Sequence, residues 1–264
     1  MPPSDAVVDP AFVVHLPTGR AAEHDQDAEW CEVETAEGSR RIRFHDYEEI
    51  FAVPGLYEHL FYAQLECDSP RTISALVDEV VESRDMDPGK LTVLDVGAGN
   101  GMVGEQLAGI GVGSVVGVDI LPAAADATER DRPGVYDEYR VLDLTDVSAD
   151  DDKYLSGAGF NCMTSVAALG FGDIPPRAFA QAFNYVADNG LLAFTIKEDF
   201  VSAVDPTGFN RLIGRMFSEG VLDQPIVERR YRHRLAVSGE PLYYLAYVAE
   251  KVSDIPADWV STAA

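Results

Sequence analysis

Leu91-Thr92-Val93-Leu94-Asp95-Val96-Gly97-Ala98-Gly99-Asn100-Gly101-Met102-Val103-Gly104 is the stretch that decides how this chain folds. A short apolar run ends in an acidic residue, and glycines then stand at every second position, 97, 99 and 101. The run reads as a buried parallel strand, and Gly104-Glu105-Gln106-Leu107-Ala108 as the opening turns of a helix. A glycine-rich turn lets the backbone come close to a ligand with no Cβ in the way. It is also expected to present free N–H groups at a helix start, where an anionic group is favoured. Strand, turn and helix together imply a nucleotide-binding βαβ unit.

The spacing discriminates between nucleotides. A dinucleotide fingerprint reads G-x-G-x-x-G, and here Gly97 and Gly99 are followed by Met102 where the third glycine belongs. The pattern is instead D-x-G-x-G-x-G, led by Asp95. It resembles motif I of the class I S-adenosylmethionine-dependent methyltransferases. In that family the turn packs against the amino-acid end of the cofactor, and no pyrophosphate needs cradling. On the turn alone a dinucleotide stays open as the alternative.

Two further strands carry acids at their ends. Gly113-Ser114-Val115-Val116-Gly117-Val118-Asp119-Ile120 places Asp119 where a carboxylate can accept both ribose hydroxyls. The competing reading of Asp119 is a helix-start acid, since Leu121-Pro122-Ala123-Ala124 opens a helix. Glu138-Tyr139-Arg140-Val141-Leu142-Asp143 reads as a third strand ending in Asp143, which a turn could equally require. The resemblance implies that Asp143 meets the adenine amine and that Leu144 supplies a backbone N–H to the ring. It implies a cofactor set of Asp95, Gly97, Ala98, Gly99, Asn100, Gly101, Asp119, Ile120, Asp143, Leu144 and Ser165.

Phe160 to Leu169 reads as a fourth buried strand running into a loop, and Pro175-Pro176 starts a helix. Phe179, Phe183 and Val186 recur at helical spacing, with Gly190 expected in the left-handed position that ends the helix. Leu191 to Ile196 is a fifth strand, and Pro206 to Ser218 a further helix. Arg230 to Val237 and Leu242 to Val248 flank the Ser238-Gly239-Glu240-Pro241 turn as a hairpin, so one of them runs antiparallel to its neighbour. A parallel sheet with a terminal hairpin resembles the methyltransferase sheet and is not called for in a dinucleotide domain. The expected fold is therefore α/β: a Rossmann-like, seven-stranded, mostly parallel sheet with an antiparallel C-terminal hairpin, helices on both faces, and an N-terminal helical lid with a small hairpin. The expected divisions are an extension and lid over 1–85, a cofactor-binding core over 86–252 and a tail over 253–264. Gly134-Val135-Tyr136, Asp143 to Asp146, Ser165-Val166 and Ile174-Pro175-Pro176 are similar to the Williams–Beuren-syndrome-region methyltransferase-like group. Relatives often carry His or Gln where this chain has Asp173.

Composition narrows the partners. Forty-five acids against 20 bases give a formal charge of −25, and Lys90, Lys153, Lys197 and Lys251 are the only lysines. Such a surface repels phosphate backbones, which disfavours nucleic acid as the substrate. Arg229, Arg230, Arg232 and Arg234 form the one dense basic cluster, and alternation with Tyr231 and His233 makes a solvated strand face the plainer reading. Cys31, Cys67 and Cys162 are widely spaced without a C-x-x-C pair, so neither structural zinc nor a disulfide framework is expected. With no long apolar run and no basic-apolar leader in Met1-Pro2-Pro3-Ser4-Asp5, a cytoplasmic protein away from membranes is expected, with a homodimer as an open option.

The substrate side lies in the first eighty residues. Met1 to about Asp27, rich in Pro, Ala and acids, is expected to be partly disordered. Trp30 to Thr35 and Arg40 to Phe44 read as a small hairpin, Tyr47 to Leu65 as helix interrupted near Pro54-Gly55, and Pro70 to Ser83 as a further helix. Helices before motif I form a lid in small-molecule methyltransferases, which makes Tyr57, His59, Tyr62 and Gln64 candidate pocket residues; ordinary helix packing is the alternative for each. His59, His233 and Glu198 are the candidate bases, and a base is needed only where the acceptor must lose a proton. The fourth strand ends in Thr164-Ser165-Val166-Ala167, not the [DN]-P-P-[YF] of amino-group methyltransferases. No carboxylate–Asn cluster of the catechol type and no C-x₃-C radical signature is present, so a metal is not expected. The reading is an S-adenosylmethionine-dependent methyltransferase acting on O, N or C of a small-molecule methyl acceptor. An NAD-dependent oxidoreductase and a non-catalytic S-adenosylmethionine-binding regulatory protein are the alternatives.

Overall fold

Two sheets organise the chain. The computed structural model describes residues 11–22, 25–202, 205 and 207–260. The first sheet is small and antiparallel, with β1 (Phe12–His15), β2 (Trp30–Thr35) and β3 (Gly38–Arg43) side by side in that order. Cys31 and Val33 alternate inward from β2 and meet Ile42 of β3, all fully buried, as the period of two requires. The sequence places disorder over Met1 to Asp27, but Phe12–His15 pairs with Thr35 to Glu32. Its anchor is Phe12, whose ring is buried beneath the sheet. Residues 1–10 lie outside the described residues.

Next come α1 (Tyr47–Phe51) and α2 (Leu56–Glu58), the latter continuing as a π-helical turn over His59–Gln64. Gly55, with φ +79°, makes the break between them. The 15-residue α3 (Ser69–Ser83) starts with Pro70 in its first turn and turns Ile73, Leu76, Val77, Val80 and Val81 to the core.

The second sheet follows as alternating strands and helices: β4 (Thr92–Val96), α4 (Met102–Gly109), β5 (Ser114–Asp119), α5 (Pro122–Asp131), β6 (Glu138–Val141), α6 (Ala149–Gly157), β7 (Cys162–Ser165), α7 (Pro176–Asn184), β8 (Leu191–Lys197), α8 (Phe209–Ser218), β9 (Val227–Leu235) and β10 (Pro241–Glu250). Their order is β6-β5-β4-β7-β8-β10-β9. The first five run parallel, and β10 inserts antiparallel to both β8 and β9. One face packs on α7 and α8 through Phe179, Phe183, Phe209 and Met216, the other on α3 and α4 through Leu76, Val80, Val103 and Leu107. The strand order reverses between β4 and β7, and the carboxyl ends there open the crevice in which such sheets bind ligands.

Four local expectations need correction. Gly190 is not the left-handed residue after α7; Asn189 is, with φ +65°. A Cβ at Gly190 would stand 2.7 Å from Val186 Cγ1 and 2.9 Å from the Asn161 carbonyl, so close approach is what requires glycine there. The third strand stops at Val141, leaving Asp143 in the following turn. Pro206 lies outside the described residues, and the helix begins at Phe209. α6 went unread because its first turn is Asp150-Asp151-Asp152 and it buries Leu155 alone; Ser148 caps it by accepting the Asp151 N–H.

The first sheet is tied to the C-terminal hairpin by a buried ion pair. Glu29 and Arg234 meet at 2.5 Å with side chains 1% and 4% exposed. The second Glu29 oxygen accepts the Val237 N–H, and Arg234 also donates to the Leu235 carbonyl. Removing one partner strands the other charge, at a cost of about 3–5 kcal/mol, whereas removing both with apolar groups of similar size is close to neutral. Arg234→Met should therefore lower the free energy of unfolding in urea by that amount, and adding Glu29→Leu should recover most of it.

Candidate functional site

The glycine turn after β4 adopts the strained backbone that its sequence announces. Gly97, Gly99 and Gly101 have φ of +75°, +55° and +86°. A Cβ at Gly97 would lie 2.8 Å from Ala168 Cβ, so the turn is pressed against the loop after β7. That loop is unusual in its own right: Ala167 and Phe171, neither a glycine, hold φ of +56° and +54°. Strain of this kind costs of order 1–3 kcal/mol per residue and persists where surrounding contacts impose it. At Ala167 one such contact is its N–H, donated to Thr195 Oγ1 at 2.7 Å.

The turn does not offer its amides outward. Gly97 and Ala98 both donate to the Val118 carbonyl, Gly101 donates to that of Ala98, and Gly99 donates to Asp119 Oδ2 at 3.0 Å. These four N–H groups are therefore occupied, and the free ones expected for an anion are left to the first residues of α4, Met102 and Val103. The Gly99 carbonyl is fixed from the other side by Thr128 Oγ1 at 2.7 Å and the Tyr139 hydroxyl at 2.8 Å.

Asp119 takes the helix-start part that its position suggested and also holds the glycine turn. One oxygen accepts the Gly99 N–H and the other the Leu121 N–H that opens α5, and each keeps a second lone pair. Burial pushes its carboxyl above the usual range, against the lowering effect of the backbone donors. Ile120 beside it is 55% exposed, an apolar platform at the mouth of a cleft. Asp143 and Leu144 line the same cleft. Asp143 spends one oxygen on the Thr145 N–H and hydroxyl, both at 2.7 Å, which hold its carboxyl below the usual range.

Other residues of the implied set support the site from behind. Asp95 is buried below the turn and accepts from Thr164 Oγ1 at 2.6 Å and the Tyr136 hydroxyl at 2.7 Å. Asn100 donates through its side-chain amide to Glu58 and Asp131, and its side-chain Oδ1 has no hydrogen-bond partner among the described residues. Gly101 caps α4. Ser165 is fully buried at the end of β7, also without a described partner, and it is the next residues, Val166 and Ala167, that reach the cleft wall.

The cleft continues under the N-terminal segment into an inner cavity. Its outer part runs over Asp119, Ile120, Asp143 and Ile174; the inner part lies between the glycine turn, the lid and the hairpin. His45, Tyr47, Tyr57, Gly97, Gly99, Val166 and Ala167 border both, so the two parts meet at the turn. The lid is held down at its rim. Phe51 packs on Ala124 and Ala127 of α5 while Arg130 donates to its carbonyl, and Arg132 bridges Glu58, Glu105 and the Asn100 carbonyl.

Of the lid candidates, Tyr57 and Tyr62 line the inner cavity. Gln64 and His59 instead bond to each other at 3.0 Å, and the His59 ring packs edge-on against Phe12, away from both cavities. Glu198 is exposed and paired with Arg230 at 3.0 Å. His233 does line the inner cavity, but its Nδ1 meets Ser69 Oγ at 2.7 Å, and burial holds its pKa well below the usual value. The sequence reading missed His45. Its Nδ1 sits 3.0 Å from Asp173 Oδ2, with both side chains largely buried, where the two cavities meet. The partners are 128 residues apart, and neither belongs to a recognisable motif.

Fold and site together define a class I methyltransferase, with the sheet order, inserted antiparallel strand and glycine turn of the S-adenosylmethionine-dependent enzymes. The chain belongs to the methyltransferase domain family, whose match spans residues 64–222, more than half its length. No curated protein matches it. Among solved structures it is similar to the CurJ carbon methyltransferase, 12% identical over 75% of this chain and 58% of that one, with a TM-score of 0.51. It also resembles the S-adenosylmethionine-bound CalS10, an amino pentose methyltransferase from Micromonospora echinaspora (22% identical, 48% and 50% covered, TM-score 0.37). A third is the ribosomal protein L11 methylase from Lactobacillus delbrueckii subsp. bulgaricus (17% identical, 69% and 78% covered, TM-score 0.44). Likeness at these identities concerns the fold. S-adenosylmethionine is the cofactor of the class, and the cleft suits it: a carboxylate at the end of β5, an apolar platform beside it, and a turn that spends the amides of Gly97, Ala98, Gly99 and Gly101 internally.

Asp95 gives the site a pH signature. Burial pushes its carboxyl up to about 6 from an ordinary 3.8, despite the lowering hydrogen bonds. A group with a raised folded-state pKa binds its proton more tightly when folded, so its contribution to stability is full below the ordinary value and lost as pH rises through the folded one. The difference corresponds to roughly 3 kcal/mol. Relative to Asp95→Asn, the wild-type protein should lose about that much stability between pH 3.8 and pH 6 and nothing more above it; urea unfolding of both proteins across this range measures it.

Proposed function

We propose that this protein transfers the methyl group of S-adenosylmethionine to a small molecule held in the inner cavity. The observation that carries this reading is the fate of the turn's N–H groups. Those of Gly97, Ala98, Gly99 and Gly101 are consumed by Val118, Ala98 and Asp119, so a pyrophosphate would find few donors in the turn itself, which argues against a nicotinamide cofactor. Asp119 would accept the ribose hydroxyls on its remaining lone pairs, and Ile120 and Leu144 would bracket the adenine, with the free oxygen of Asp143 toward its amine. The amino-acid end would lie along Gly97 to Gly99, pointing into the inner cavity.

Bound there, the cofactor supplies a methyl on a cationic sulfur that leaves as a neutral thioether. The protein's work is to hold the acceptor in line and to exclude water; such positioning can lower a barrier by on the order of 7–11 kcal/mol at best. The docked lid and the aromatic wall of Tyr47, Tyr57 and Phe61 support that role. A small acceptor, rather than a nucleic acid or protein surface, suits a cavity covered by the lid and by Gln26, Phe44 and His45 beside the first sheet. The arginines of β9 are no phosphate-binding strip either: Arg229, Arg230 and Arg232 each pair with an acid, Glu79, Glu198 and Glu66.

Asp119→Ala removes an acceptor for charged hydrogen bonds worth about 1.5–3 kcal/mol. Titration calorimetry should show S-adenosylmethionine and S-adenosylhomocysteine binding weakened roughly tenfold to 150-fold, with no heat from NAD(H) in either protein. Unchanged affinity in a folded variant, or binding of NAD(H) by the wild type, would sink the assignment.

A further inference from the structure

The inner cavity has a chemical character that points to its occupant. Its walls include seven phenylalanine and tyrosine side chains, among them Phe44, Tyr47, Tyr57, Phe61, Tyr62 and Phe171. Rings prefer planar partners in stacked or edge-on contact. Arg234 also lines it, but this guanidinium is committed to Glu29 and the Leu235 carbonyl, so a carboxylate or phosphate on the acceptor would find its charge already neutralised. The wall favours an uncharged aromatic molecule.

Two polar groups face the same space with capacity to spare. Gln26 is 7% exposed and donates through Nε2 to the Tyr244 hydroxyl at 2.9 Å, while its Oε1 has no hydrogen-bond partner among the described residues. A buried orphan carbonyl of this kind costs free energy until it meets a donor. The second group is His45. With Asp173 holding Nδ1, that nitrogen carries the proton, and Nε2 is left as a basic lone pair. The pair is built by design of the backbone: Asp173 closes a tight turn by donating its N–H to Gly170, and Phe44 donates to Glu29 just before His45. The Phe171 ring lies 4.9 Å from the imidazole.

We infer that the inner cavity binds a neutral phenol-type acceptor whose reacting hydroxyl faces His45 and whose second O–H or N–H donor satisfies Gln26 Oε1, with Asp173 positioning the imidazole. This inference rests on the methyl-transfer reading above. The acceptor oxygen gives its proton to His45 Nε2 and bonds to the methyl carbon, whose bond to sulfur breaks with the electron pair remaining on sulfur. The products are a methyl ether, a neutral thioether and an imidazolium. His45 is the catalytic residue in this scheme and Asp173 a positioning residue; Gln26 selects the substrate.

Proton transfer can be watched without knowing the natural acceptor, because nitrophenols change colour on ionisation. Calorimetry first establishes that wild type, His45→Asn, Asp173→Asn and Gln26→Leu all bind S-adenosylhomocysteine. Absence of binding in the wild type removes the methyl-transfer reading and this inference with it. With S-adenosylhomocysteine bound, 4-nitrophenol should enter the wild-type cavity and be more ionised there than free at the same pH. That excess should vanish in His45→Asn and fall in Asp173→Asn, where the imidazole survives but its partner no longer carries a charge. 4-Nitrocatechol, with a second donor, should bind the wild type about threefold to tenfold more tightly than 4-nitrophenol, and Gln26→Leu should abolish the preference. Tighter binding of 4-nitrobenzoate than of 4-nitrophenol, a bound phenol no more ionised than the free one, or an excess that persists in His45→Asn overturns the inference while leaving the cofactor assignment standing.

Discussion

Gly99 is the fixed point of the molecule. Its N–H is held by Asp119 at the end of β5, and its carbonyl by Thr128 of α5 and Tyr139 of β6. Three neighbouring elements are therefore registered on one residue whose φ of +55° a side chain would resist. Phe51 of the lid lies within 3.4 Å of the space where a Cβ would be. The lid, the carboxylate and the turn share this one residue, so the floor of the outer cleft and the rim of the inner one cannot move independently.

A second constraint closes the other end. Glu29 precedes β2 and Arg234 lies near the end of β9, and their buried pair joins segments 205 residues apart. Gln26 to Tyr244 and Ser69 to His233 and Tyr231 add polar ties across the same seam. The inner cavity thus lies between two anchored margins, Gly99 on one side and the Glu29–Arg234 pair on the other. Neither margin comes from a single element, which is why the cavity wall draws on both the beginning and the end of the chain.

The core was legible because its signals are local. Apolar runs that end in Asp95 and Asp119, and a hairpin turn at Ser238 to Pro241, each occupy fewer than ten residues and need no partner to be recognised. Asp119 could be placed for the same reason. What escaped depends on distant partners. β1 is four residues long and exists because β2 offers it an edge and Phe12 a place to be buried. Gly190 looked like a helix terminator, but its reason is the Asn161 carbonyl across the chain. The His45–Asp173 contact joins two residues 128 positions apart, and although Asp173 stands where relatives often differ, nothing near either residue names the other. His59, Gln64 and Glu198 show the converse: side chains of the right chemistry on the right elements, turned toward neighbours outside the cavity.

The arginines of β9 have a consequence beyond neutralising nearby acids. β9 is the outer strand of the large sheet, and ahead of His233 its open side presents backbone donors and acceptors to no neighbouring strand. Bare edges invite another strand to continue the ladder, and long charged side chains on the edge discourage it. Arg229, Arg230 and Arg232, each clasped by an acid from a different element, arm this border against intermolecular strand pairing. The far end of the same edge is closed differently, by the backbone of Leu65 and Asp68 pairing with Leu235 and His233.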